Sequence, residues 1–108
     1  MVKRKGPPYR FVPPQLSAPE ILRHTADHIA QRAASRDLPQ GERSMSRAVA
    51  AFNALTGHKV SERDGWLFMV ALKASRATAG AHNADDYQDM AAYAALAGEC
   101  ADAEAEAA

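Results

Sequence analysis

The chain marks off its own helices. Ser17-Ala18-Pro19-Glu20 opens the first. Ser17 can cap the bare backbone N–H groups, Pro19 falls in the first turn, where no donor is needed, and Glu20 completes a capping box. A second helix runs from about Ser44 to Thr56 and is stopped by Gly57, the residue that most readily adopts the left-handed conformation past a helix end. Ser61, with Asp64 three residues on, opens a third that ends at Gly80, and Asn83 opens a fourth. No stretch alternates as a strand does. These signals predict an all-α fold, an antiparallel four-helix bundle-like single domain, because connections this short favour antiparallel neighbours.

The periodicity then predicts faces. Leu22, Ala26, Ile29 and Ala33 form the stripe of helix one; Met45, Val49, Phe52 and Thr56 that of helix two, with Ala48 and Leu55 beside it. Ala50 and Ala54 leave the far side of helix two smooth enough for a close neighbour. Helix three begins GWLFMVAL, apolar all round, which predicts the buried central helix. Helix four should turn Tyr87, Met90, Ala91, Ala94 and Ala97 inward. The apolar content is less generous than it looks, since 25 of the 51 apolar residues are Ala. A core built from so few large side chains predicts self-association into a homo-oligomer.

Lys plus Arg and Asp plus Glu both number 13, so the chain is neutral overall but not locally. Residues 1–16 read as a flexible, basic, Pro-rich arm, residues 17–100 as the helical domain, and residues 101–108 as an acidic Ala/Glu tail that frays or extends the last helix. The arm interleaves Lys3, Arg4, Lys5 and Arg10 with Tyr9 and Phe11, a pattern able to grip a partner surface or single-stranded nucleic acid. Nucleic acid is otherwise disfavoured: helix three has almost no polar face to read a groove, and net charge is zero. No secretory h-region and no run approaching the ~20 apolar residues of a membrane span is present. One cysteine, Cys100, allows no internal disulfide. Together these predict a cytoplasmic protein with no membrane partner.

The chemistry concentrates around Lys73. It lies within the stripe of Trp66, Val70 and Ala77, where an ammonium must be paired or discharged. Helix four opens with Asp85, Asp86 and Asp89, and the short loop from Gly80 to Ala84 folds these back toward it; Asp86, Asp89 and Tyr93 share one edge beside the apolar face. The cluster reads two ways. Lys73, Arg76, Asp86 and Asp89 clamp a helical hairpin, as helix dipoles favour. Or Asp85, Asp86 and Asp89 hold Mg²⁺ while Lys73 and Arg76 take phosphate oxygens, with Tyr93, Glu42 and Arg43 in the pocket. His24, Asp27 and His28 share a face of helix one with metal-like spacing, but that face lies opposite Leu22 and Ile29 and reads as solvated. No nucleophilic triad or phosphate loop is present.

Four blocks carry a resemblance: RDLPQGERSM (36–45), AFNALTG (51–57), GWLFMVALKASR (65–76) and DDYQDMAAYAALAGE (85–99). Over roughly residues 18–99 the chain resembles a small family of helical proteins of tailed phages and prophages, a family that carries no established activity to transfer. More distantly it is similar to all-α nucleotide pyrophosphohydrolases of the MazG type, which are oligomeric and Mg²⁺-dependent. Asp85-Asp86-x-x-Asp89 is similar to the later of their two acidic motifs; the earlier, an ExxE-type pair, has no counterpart on helices one or two. The resemblance implies a phage-encoded nucleotide-binding protein and, were it an enzyme, a MazG-like nucleoside triphosphate pyrophosphohydrolase. The alternative is a non-enzymatic phage protein that binds and modulates a host protein of defence or metabolism.

Overall fold

A computed structural model describes residues 16–36 and 44–107. Four helices follow in order: α1 (Ala18–Arg36), α2 (Ser44–Thr56), α3 (Glu62–Ala77) and α4 (Ala84–Ala107). No strand occurs among the described residues. The all-α, four-helix architecture expected from the helix punctuation is present, and the punctuation works as the chemistry requires. The Ser17 backbone N–H donates to Glu20 Oε1 at 2.8 Å and the Glu20 N–H to Ser17 Oγ at 3.3 Å, the reciprocal capping box. That hydrogen bond to the backbone holds the Glu20 carboxyl below its ordinary value. Ser61 Oγ accepts the Asp64 N–H at 3.0 Å, and Asn83 Oδ1 accepts the Asp85 N–H at 3.0 Å. Gly57 leaves α2 at φ +78°, in the left-handed region. The return loop is tied to α2 by Asn53, whose Nδ2 donates to the Val60 carbonyl at 2.9 Å and whose Oδ1 accepts the Val60 N–H at 3.0 Å.

α4 is the hub: α3 and α1 both pack on it, and α2 packs on α3. Two ion pairs set the antiparallel register of α3 and α4. Arg63 near the start of α3 meets Glu104 near the end of α4 at 3.2 Å, and Lys73 meets Asp89 at 2.8 Å. The acidic tail therefore continues α4 as helix to Ala107, and Glu104 ties part of it to α3. α2 lies close over the start of α3 because Gly65 has no side chain. A Cβ there would come within 2.5 Å of Met45 Sδ and 3.0 Å of Val49 Cγ1.

The core is as thin as the alanine content implied. Trp66, Leu96 and Ala97 are buried, with Met45, Met69, Tyr93 and Cys100 packed around them. All four predicted faces need correction. On α1, Leu22 and Ala26 are exposed, while Thr25 is buried and Ile21 and Ile29 half-buried. The inward face is rotated because the Thr25 hydroxyl, donating to the Ile21 carbonyl at 2.8 Å, needs no water. α3 is not buried all round: Trp66 is buried, but Leu67 and Phe68 are exposed, since among the described residues α4 and the crossing α2 are the helices that pack on it. On α4, Tyr87 and Ala94 face outward and Asp86, Gln88, Leu96 and Ala97 inward, as the partners of Lys73 and Thr25 lie on that side. α2 has no fully buried residue; Met45 and Val49 are half-buried, and Phe52, Leu55 and Thr56 are exposed.

Candidate functional site

The charged residue inside an apolar stripe found its partners. Lys73 leaves α3 between half-buried Val70 and Ala77, and its side chain is only 15% exposed. Its ammonium meets Asp89 Oδ2 at 2.8 Å and Asp86 Oδ1 at 4.0 Å. The hydrogen bond to Asp89 raises the Lys73 pKa above its ordinary value, against a smaller opposing effect of burial. Of the two readings offered by the sequence, the clamp is the arrangement observed. Lys73 joins α3 to the first turns of α4, and its donors point at carboxylates of its own chain.

This pairing bears on the magnesium site. Asp86 and Asp89 face an ammonium, Asp85 is exposed, and the described residues contain no group of three acidic, imidazole or thiol side chains placed to hold a metal. The Asp85, Asp86 and Asp89 set therefore does not fit a metal cage, and no step is routed through one. His24, Asp27 and His28 are exposed on α1, as their spacing implied, and gather no metal set either. Arg76 is exposed near the end of α3 and makes no ion pair with Asp86 or Asp89, though its charge acts on Lys73. Glu42 and Arg43, and the arm residues Lys3, Arg4, Lys5, Tyr9, Arg10 and Phe11, lie outside the described residues.

Next to the clamp is a cleft of about 40 Å³ where α1, α3 and α4 meet. Tyr93 and Asp89 both line this cleft. The Tyr93 ring stacks on Trp66, centroids 5.5 Å apart and planes inclined by 21°. Such a pair is worth about 0.5–1.5 kcal/mol beyond its burial, and it makes one wall rigid. His28 and Arg32 of α1 line the cleft as well, and Thr25 and Gln88 close its floor, where the Thr25 hydroxyl lies 3.4 Å from the Gln88 carbonyl. The cleft thus carries an aromatic wall, a carboxylate, an imidazole and a guanidinium. A volume this small admits a few water-sized groups, since one water requires about 10–15 Å³, so it would receive one end of a ligand and leave the rest outside.

Sequence reasoning missed Thr25, Arg32 and Gln88. The spacing was there to be read: Thr25, His28 and Arg32 recur at i, i+3 and i+7. Being polar, they were not assigned to an inward face.

Fold and site together describe an all-α domain with a small, largely apolar cleft beside a paired lysine. The chain belongs to the family of the domain of unknown function DUF6378, whose family model matches residues 20–101. No curated protein and no solved structure matches the chain.

Proposed function

We propose that this chain is a nucleoside-phosphate-binding protein of phage or prophage origin, and that the ligand is held at the α1–α3–α4 cleft. One observation carries the reading: Arg32 and His28 line the same opening as the stacked Trp66–Tyr93 pair. A guanidinium beside an aromatic wall suits an anion attached to a flat ring, because the fork of Arg donors matches phosphate oxygens and the ring face takes a base. Lys73 acts here through Asp89, holding that carboxylate at the cleft rim, where it can accept a ribose or base N–H or O–H. Magnesium, in this reading, arrives coordinated by the phosphates, which is how that ion commonly binds. The reading is one of binding; it assigns no hydrolytic step.

Trp66 is the single tryptophan, so its fluorescence reports on the cleft. Titration with nucleoside mono-, di- and triphosphates, with and without magnesium, should quench it saturably for at least one of them. Arg32→Ala should then weaken binding tenfold or more, because one hydrogen bond to a charged group contributes about 1.5–3 kcal/mol. No response to any nucleotide, or an Arg32→Ala variant with wild-type affinity, sinks the proposal. The alternative, a non-enzymatic protein that binds a host protein, draws on the exposed apolar side chains of α2 and α3 and requires the silent outcome in the same titration.

A further inference from the structure

The outer face of α3 departs from ordinary burial. Leu67 is 48% exposed and Phe68 68% exposed, and Ala71, Ala74 and Ser75 continue the same side of the helix into solvent. α2, which packs on α3, adds exposed Phe52 and Leu55. With a whole aromatic side chain taken as about 150–250 Å², these four large residues leave roughly 400–500 Å² of apolar surface in water. A standard protein interface takes about 800 Å² from each partner, a little more than half of it apolar. The exposed area is what one side of such an interface requires.

We propose that this face docks on the same face of a second copy of the chain, with the two α3 helices antiparallel and Ala71 at the two-fold axis. Two features select a second copy over another occupant. From Leu67 to Ser75 the exposed positions carry no charge, so apposing two identical faces brings no like charges together. Bulk is unevenly divided: Leu67 and Phe68 are large, while Ala71, Ala74 and Ser75 are small. Antiparallel apposition lays each large pair over the small stretch of the other copy, as ridges fill grooves.

Light scattering on the eluting protein tests this. Wild type should have twice the 11.6 kDa chain mass, and Phe68→Glu should have the mass of one chain with an unchanged helical circular-dichroism signal. A second measurement is independent of that variant's folding. In a Cys100→Ala background, Ala71→Cys should form a disulfide-linked dimer on oxidation. Leu67→Cys should not, because its two copies lie on opposite sides of the axis, eight residues apart along the helix, or about 12 Å at 1.5 Å per residue. A monomeric wild type overturns the proposal, whether the face stays bare or is taken by another protein. So does a Phe68→Glu dimer, or a Leu67→Cys variant that links as readily as Ala71→Cys.

Discussion

Lys73 is the residue around which the rest is arranged. An ammonium with 15% of its side chain exposed is tolerable only because Asp89 receives it at 2.8 Å. Its position could be read in advance, since a charge within the Trp66, Val70 and Ala77 stripe must find a carboxylate, and Asp86 and Asp89 were the ones within reach. Which of two jobs the cluster does was not legible, because a clamp and an anion site use the same residues at the same spacing and differ only in where the donors point. Removing the ammonium leaves two carboxylates facing one another, so Lys73→Met should cost about 1.5–3 kcal/mol in urea unfolding at neutral pH. The pH dependence has a definite sign. The folded pKa of Lys73 lies above the ordinary 10.5, so the pair contributes fully below pH 10.5 and is lost as pH climbs through the raised folded value. Wild type should therefore lose stability above pH 10.5 more steeply than Lys73→Met; parallel curves for the two proteins would show that the pair contributes nothing.

Among the elements, α2 and α4 show how one residue type serves opposite needs. Gly65 is where α2 sits against α3, and its missing Cβ is the space that Met45 and Val49 occupy. Gly98, in the middle of α4, faces nothing within 4 Å. Gly65→Ala should destabilise by about 1–3 kcal/mol, since the Met45 tip can yield but β-branched Val49 has little freedom to move. Gly98→Ala should stabilise by about 0.5–1 kcal/mol, the ordinary gain of alanine over glycine inside a helix. Thermal unfolding of the two variants checks both signs, and equal shifts would mean that α2 is not held at Gly65. Helix ends were legible from Ser17, Ser61 and Gly57 because caps are local chemistry. Helix faces were less so: the expected α1 stripe of Leu22 and Ala26 lies exposed, as periodicity locates a face without saying which neighbour claims it.

For the molecule as a whole, the balance between buried and exposed apolar groups is the governing quantity. Among the described residues, Trp66, Leu96 and Ala97 are the buried apolar side chains, while Leu55 is 86% exposed. No helix among the described residues is long and apolar enough to cross a membrane. If a second copy covers the exposed apolar surface, folding and association are linked, and the melting midpoint should rise with protein concentration. Phe68→Glu should melt at one temperature regardless of concentration. A wild-type midpoint equally indifferent to concentration would count against linkage.

What the amino-acid order determined by itself was local: four helices, their caps and stops, the absence of strands, and the obligation of Lys73 to find an aspartate. Each follows from interactions within a few residues or from the cost of stranding a charge. Tertiary structure alone decided which side of each helix faces inward, that α4 serves as the hub, and that His28 and Arg32 of α1 share a cleft with Trp66 and Tyr93. Those outcomes depend on how helices with weakly amphipathic, alanine-rich surfaces choose neighbours. With so little apolar contrast from one side to the next, packing makes the choice that pattern leaves open.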